Sequence, residues 1–160
     1  MAENQERLTV EPPRGMYNGR LDDKGRVKLA AALLQYFTAL PEKKLFVTSL
    51  DRRTAQIYPI SVWRANERFF EQYRGTSKAI RKIVFNAADL GTEAEVDSQG
   101  RVLFSPELRR ELAIENQTLH LYARKGHIEI LNEKQYEEWK REASDTTPEE
   151  IGDLEIEGLS

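Results

Sequence analysis

No cysteine occurs anywhere in the sequence. That excludes a disulfide framework, a thiolate-bound zinc site and a thiol nucleophile. Histidine occurs only at His120 and His127. No carboxylate or serine stands at a spacing from them that suggests a triad or a metal centre, so no metal is expected. There is no P-loop and no Gly-x-Gly-x-x-Gly, so no nucleotide cofactor is implied. Without a nucleophile, a metal set or a cofactor loop, enzyme activity is not expected, nor is a small-molecule substrate. No apolar run approaches the roughly 20 residues that a membrane helix requires. Residues 1–6 also lack the basic and apolar regions of a secretory signal. A cytoplasmic protein without membrane contact is the expectation.

What the chain has is charge, unevenly spread. The net formal charge is −3 over 160 residues. Yet residues 142–160 hold seven acids and no lysine or arginine, and residues 1–13 hold three acids and one arginine. The body, residues 14–141, is left at +6. A basic body between acidic ends suits a polyanionic partner. Residues 1–13, polar and ending in Pro12-Pro13, read as a disordered arm. Residues 144–160 read as an acidic tail. It is either a mobile solvating segment, or an arm that packs on a neighbour or competes for the basic face.

Between the ends lies an internal repeat. Leu21-Asp22-Asp23-Lys24-Gly25-Arg26-Val27 parallels Val96-Asp97-Ser98-Gln99-Gly100-Arg101-Val102 at an offset of 75. Each copy continues into a short helix candidate and then two apolar strands. These are 45–50 with 55–58, and 118–123 with 127–131. Ile57 then corresponds to Ile130 and Trp63 to Tyr136, at an offset of 73. A closing helix follows in each copy. The first carries Trp63, Phe70 and Tyr73 on one face, and the second Tyr136, Trp139 and Ala143. Asn132 and Gln135 supply a capping box for the second. A further helix over about 76–88 carries Ala79, Ile80, Ile83, Val84 and Ala87 as an apolar stripe, with Gly91 as its stop. The divisions are a first module at 14–75, a linking helix at 76–91 and a second module at 92–143. About 50 residues cannot build a large core alone, so the two modules are expected to pack on each other.

The repeated turn has its own chemistry. Asp22 and Asp97 can each bond backbone two residues on and start a turn. Gly25 and Gly100 supply a positive φ at its exit. Arg26 and Arg101 then open the following strands, with the aspartate close enough to orient the guanidinium. Two readings stay open. In one the pair is a salt bridge that locks a hairpin. In the other an arginine of fixed rotamer is offered to a phosphate or a guanine edge, at reduced entropic cost. Asp22 and Asp97 as a carboxylate pair for acid–base work fits less well, because their duplicated turn context favours salt bridges.

Asp22–Val27, Ile57-Tyr58-Pro59 to Trp63, Phe85-Asn86-Ala87-Ala88, and Asp97–Val102 through Ser105-Pro106-Glu107-Leu108-Arg109 together resemble the MraZ family, two-module transcriptional regulators of the SpoVT/AbrB class. The resemblance spans roughly residues 15–141. It implies an α+β fold of two AbrB-like swapped-hairpin β modules, forming a pseudo-two-fold β core with flanking short helices. It implies a ring-shaped homo-oligomer, an octamer or a dodecamer, in the cytoplasm and on the nucleoid. It implies binding of double-stranded DNA at short repeated boxes ahead of the cell-division and cell-wall genes, including the regulator's own promoter. The family's Asp-x-x-x-Arg signature falls on Asp22 and Arg26, and on Asp97 and Arg101; the DNA-contact role carries best to Arg26. Arg101, Arg109, Arg20, Lys24 and Lys28 complete the expected DNA-binding set, with Asp22, Asp97, Gly25 and Gly100 orienting the motif. Family members follow the first motif with an Ile-Pro step and a basic helix. Here the stretch is Leu29-Ala30-Ala31-Ala32-Leu33-Leu34. The first copy therefore lacks basic character beside its motif, whereas the second keeps Arg109, and Arg20 and Lys28 are positioned to compensate. The first copy is expected nearer the DNA and the second partly structural. The alternative function is an antitoxin-like protein-interaction module whose acidic tail engages a partner.

Two further features stay open. Arg124-Lys125-Gly126 and Asp51-Arg52-Arg53-Thr54 give each copy a second basic turn. Arg64, Arg68, Arg74, Lys78, Arg81 and Lys82 form the densest basic helical region, either a solvated face or one that meets phosphate or another subunit. The helical aromatics are expected in core or interface rather than as stacking platforms for bases.

Overall fold

The computed structural model describes residues 10–73 and 77–160. Residues 1–9 of the expected N-terminal arm, with Arg74 and Thr76, lie outside them. The first repeat supplies β1 (Gly15–Gly19), β2 (Arg26–Lys28), α1 (Ala31–Ala39), β3 (Leu45–Thr48), β4 (Ala55–Pro59) and α2 (Ile60–Gln72). Helix α3 (Lys78–Leu90) joins it to the second. That repeat runs β5 (Thr92–Ala94), β6 (Arg101–Leu103), α4 (Pro106–Leu112), β7 (Leu119–Arg124), β8 (His127–Leu131) and α5 (Glu133–Ala143). A last helix, α6, spans Pro148–Glu157.

The fold is α+β, with an antiparallel six-stranded sheet ordered β1-β7-β8-β4-β3-β5 and a two-stranded sheet of β2 and β6. This order is an exchange. β1 pairs with β7 of the other repeat, Gly15 opposite Ala123 and Gly19 opposite Leu119. β5 pairs with β3 of the other repeat, Leu45 opposite Ala94. The hairpins β3–β4 and β7–β8 meet along β4 and β8, where Ile57 faces Ile128 and Ala55 faces Ile130. A pseudo-two-fold axis therefore passes between β4 and β8, and again between β2 and β6. The swapped-hairpin core implied by the resemblance is the one observed.

The core follows the repeat. Val27 and Val102 are directly paired and fully buried. Leu33 and Leu108, one per repeat on α1 and α4, are also fully buried. Phe104, Leu121, Ile57 and Ile130 fill the same cluster. The apolar alternation of β3, β4, β7 and β8 is thus spent on one shared interior rather than two small ones. A second cluster holds α2 and α3 against the sheet. There Trp63 stacks on Phe46 at 4.8 Å and meets Phe70 edge-on at 6.1 Å, with Tyr58 and Ala87 buried beside them. Tyr73 and Trp139 stay outside, at 48% and 41% exposure. No helix of the described residues is long and apolar enough to cross a membrane.

Helix boundaries follow local chemistry. Ser77 caps α3 by accepting from the Ile80 N–H. Asn132 and Gln135 form both bonds of a capping box on α5. Part of the acidic tail forms α6, none of whose residues is buried. Thr147 and Glu150 form a second capping box there and Pro148 occupies the first turn. Composition alone hid this, although the Thr-Pro-Glu-Glu signature was in plain sight.

Because β1 and β5 are exchanged, neither repeat closes its own core. Residues 10–75 expressed alone should not fold as a monomer, but should stay unfolded or fold only as a dimer that restores the exchange. Amide-proton dispersion measured together with sedimentation would show a folded monomer if this is wrong.

Candidate functional site

Both Asp-x-x-Gly-Arg segments form the same turn, bond for bond. Asp22 Oδ1 accepts the backbone N–H groups of Lys24 at 3.0 Å and Arg26 at 2.9 Å. Its Oδ2 accepts from Arg26 Nε at 2.8 Å. Asp97 accepts from the backbone of Gln99 and Arg101 and from Arg101 Nε, each at 2.9 Å. Backbone bonds close each loop: the Asp22 N–H donates to the Arg26 carbonyl at 2.9 Å, and the Asp97 N–H to that of Arg101 at 2.9 Å. Gly25 and Gly100 sit at φ +82° and +77°, a region a side chain enters only at a cost. One carboxylate thus fixes both the turn and the root of the guanidinium. Hydrogen bonds from the arginine backbone, first of all, and then from its side chain hold Asp22 and Asp97 below the ordinary carboxylate range. The lock found here is the salt-bridge reading of the sequence, and it also supplies the fixed arginine rotamer that the second reading required.

The two turns are neighbours. β2 and β6 place Lys28 opposite Arg101 and Arg26 opposite Leu103. The Leu29 N–H donates to the Gly100 carbonyl and the Phe104 N–H to the Gly25 carbonyl, both at 2.9 Å. Each repeat thereby holds the other's turn by its own backbone. Arg101 Nη1 also reaches Asp22 Oδ2 at 3.9 Å, so the first aspartate faces both arginines. Arg26 and Arg101 keep 24% and 23% of their side chains exposed, enough to present an edge while the root is held.

The exchange reassigns the helical arginine. Arg109 on α4 lies against the first turn, not its own. A β-carbon at Gly25 would fall 2.5 Å from Arg109 Cζ. The pseudo-equivalent residue on α1, Leu34, lies against Gly100, where a β-carbon would meet its Cδ2 at 3.1 Å. Arg109 Nη1 is tied to Glu115 at 3.3 Å, and its Nε is buried with no hydrogen-bond partner among the described residues. So the absence of basic residues after the first motif leaves the second turn flanked by a leucine, and the first is flanked by a cation. Sequence adjacency pointed the other way because a helix was assumed to serve the motif that precedes it. Glu115 was missed altogether, since no short spacing links it to Arg109.

Lys24 stands exposed at the tip of the first turn. Arg20 and Lys28 are exposed along a shallow open depression with Asn18, Leu29 and Thr118. None of these three cations takes an ion pair among the described residues. The second basic turns behave differently. Arg52 bonds Asp89 at 3.1 Å through Nη1, approaches Glu111 at 3.4 Å, and so ties the β3–β4 loop to α3 and α4. Lys125 and Gly126, at φ +52° and +80°, make the two-residue turn of β7–β8, and the Gly126 carbonyl accepts from Tyr36 Oη at 3.0 Å. Both histidines are packed. His120 stacks on Tyr136 at 3.7 Å with Glu133 at 3.0 Å, and His127 stacks on Tyr58 at 4.7 Å. Among the described residues no group of three His, Asp or Glu side chains could hold a metal ion.

A family model described as "MraZ protein, putative antitoxin-like" matches residues 90–153. The chain is 30% identical over 125 residues to the transcriptional regulator MraZ of Acidobacterium capsulatum, covering 78% of this chain and 85% of that protein. The chain belongs to the MraZ family. The MraZ of Nitrosomonas europaea is 29% identical over 153 residues, 92% of this chain and 98% of that relative. That of Koribacter versatilis is 31% identical over 101 residues, 62% and 68% of the two chains. Both turns lie within the span shared with the Nitrosomonas MraZ, since the 92% coverage leaves too little of the chain outside it to reach either of them.

Because Asp22 and Asp97 are held below their ordinary range, their contribution to stability is present above about pH 4, where the unfolded carboxylate is ionised, and is lost as pH falls through the folded-state values. Asp22→Asn and Asp97→Asn should therefore lower the urea midpoint near neutrality, and the gap from the unsubstituted protein should shrink below about pH 4. A gap that stays constant from pH 7 to pH 3 would show that the carboxylate charge is not what holds the turn.

Proposed function

We propose that this protein is a DNA-binding transcriptional regulator whose contact surface is the pair of braced turns, with Arg26 as the leading contact. The observation that carries the reading is the double lock. Each guanidinium is held by Nε to an aspartate of its own turn, so its remaining N–H groups are aimed without further loss of rotamer freedom. A bidentate grip on a phosphate or on a guanine edge needs a fork of that kind. Lys24, Lys28 and Arg20 contribute charge around it, and Arg101 and Arg109 complete the set. Asp22, Asp97, Gly25 and Gly100 orient it. The names of the relatives, transcriptional regulators, support the same reading.

The finer proposal follows the family resemblance. The protein assembles as a ring-shaped homo-oligomer and reads short repeated boxes ahead of the cell-division and cell-wall genes, its own promoter among them, on the nucleoid. One protomer offers few contacts, and a ring that engages several boxes gains through effective concentration. The exposed Phe69 of α2 and Tyr73 at its C-terminal cap offer apolar surface for packing between subunits. The antitoxin-like alternative is favoured by the wording of the family model alone. A partner protein that co-purifies with the full chain, and is lost with residues 144–160, would bring it forward.

Arg26→Ala should abolish box-specific binding in a gel-shift assay while circular dichroism and solution mass stay unchanged. Binding by the unsubstituted protein should weaken with salt, with a log–log slope of about −0.9 per phosphate neutralised. Unchanged affinity in a correctly assembled Arg26→Ala protein would sink the assignment, as would a flat salt response.

A further inference from the structure

Helix α6 leaves its apolar side chains in water. Ile151, Leu154 and Ile156 are 43%, 55% and 86% exposed, and no residue of the helix is buried. A ten-residue helix is marginal without a packed face. Glu150, Asp153, Leu154 and Glu157 follow one another at i, i+3, i+4 and i+7, so three acids and a leucine share one side, with Ile151 adjoining. The helix holds five acids and no base.

Helix α3 carries the complementary pattern. Lys78, Arg81, Lys82 and Phe85 stand at i, i+3, i+4 and i+7, all exposed, with Phe85 at 64%. They line, with Asn86, a shallow depression of about 490 Å³. Arg52 stands 5.9 Å from the centre of the Phe85 ring. The acid nearest along the helix, Asp89, is already taken by Arg52. Laid antiparallel with Glu157 at Lys78, Leu154 and Asp153 come level with Arg81 and Lys82, and Ile151, on the flank of that side, approaches Phe85. A nucleic-acid backbone would match the three cations and leave Phe85 unanswered. An acidic amphipathic helix answers the cations with Asp153 and Glu157 and also brings the apolar Ile151 towards Phe85. Within one chain both faces stay uncovered.

We infer that α6 of one copy docks on the Lys78–Phe85 face of α3 of a second copy, joining protomers by their acidic and basic helices. The inference rests on the homo-oligomer part of the proposed function and is independent of DNA binding. It also gives the acidic tail a place in assembly.

The absence of cysteine makes the test direct. Two differently tagged full-length populations, one with Lys82→Cys and one with Asp153→Cys, are mixed, treated with a short bis-maleimide and separated by mass, alongside a solution-mass measurement of each. A covalent product joining the two tags is expected. Separately, Lys78→Glu with Lys82→Glu should weaken self-association about tenfold, and adding Asp153→Lys with Glu157→Lys should restore it. An assembled protein that yields no product between tags overturns the inference and leaves the oligomer reading standing. So does a protein carrying both Lys82→Cys and Asp153→Cys that cross-links only within single chains. A reversal that alters DNA affinity alone also overturns it and assigns α3 to nucleic acid. A chain that is monomeric at all concentrations overturns both.

Discussion

Each repeat of about 50 residues owns a hairpin whose outer neighbour belongs to the other repeat, and the rest of the structure depends on that exchange. β1 completes β7–β8 and β5 completes β3–β4, so the buried faces of both repeats converge on one interior. The constraint is one of area: a module this small cannot exclude enough apolar surface from water to offset the entropy of ordering its own backbone. Exchange doubles the core without lengthening either unit. It also forces β2 against β6, and with them the two Gly-Arg turns. The site is in this sense a by-product of how the core is closed.

Closing the core in this way makes the turns interdependent. Gly25 and Gly100 each lend a carbonyl to the backbone of the opposite repeat, and Asp22 faces both arginines. Charges so close together are tolerable because acid and base alternate and each carboxylate accepts several N–H groups. The arrangement leaves the guanidinium edges as the exposed part of a rigid unit, the condition under which an arginine gives up least entropy when it meets an anion. The departure from symmetry is chemical rather than geometric. Arg109 flanks the first turn and Leu34 the second, so otherwise superposable turns differ in local charge.

Charge also organises the periphery. Arg52 looks in sequence like a second basic tip for a ligand, but it is consumed by Asp89 and Glu111 in holding the β3–β4 loop to two helices. Arg20, Lys24 and Lys28 make no such bonds among the described residues, and they surround the braced turns. The same residue type thus serves as a strut in one place and as an exposed charge in another. The difference is whether a carboxylate lies within reach, which depends on the path of a distant segment. The acids of the C-terminal stretch, gathered on α6, extend the logic beyond the core by leaving complementary faces open at the surface.

Much of this was legible in the amino-acid sequence alone. The repeat at an offset of 75, the alternation of the four hairpin strands, the Asp-x-x-Gly-Arg turn and the capping box at Asn132 are local patterns, and local sterics and hydrogen bonding decide them. Their order and spacing carried the resemblance to a family and, with it, the swapped core. What only the tertiary structure decided is which side chain stands beside which turn. Leu34 follows the first motif in sequence and serves the second in space, and Arg109 does the reverse. Arg109 finds Glu115, and Arg52 finds Asp89, across gaps that no periodicity encodes. The physical reason is that backbone geometry repeats over a few residues, whereas an ion pair needs only that two charges arrive within a few ångströms, by whatever path the exchanged strands bring them there.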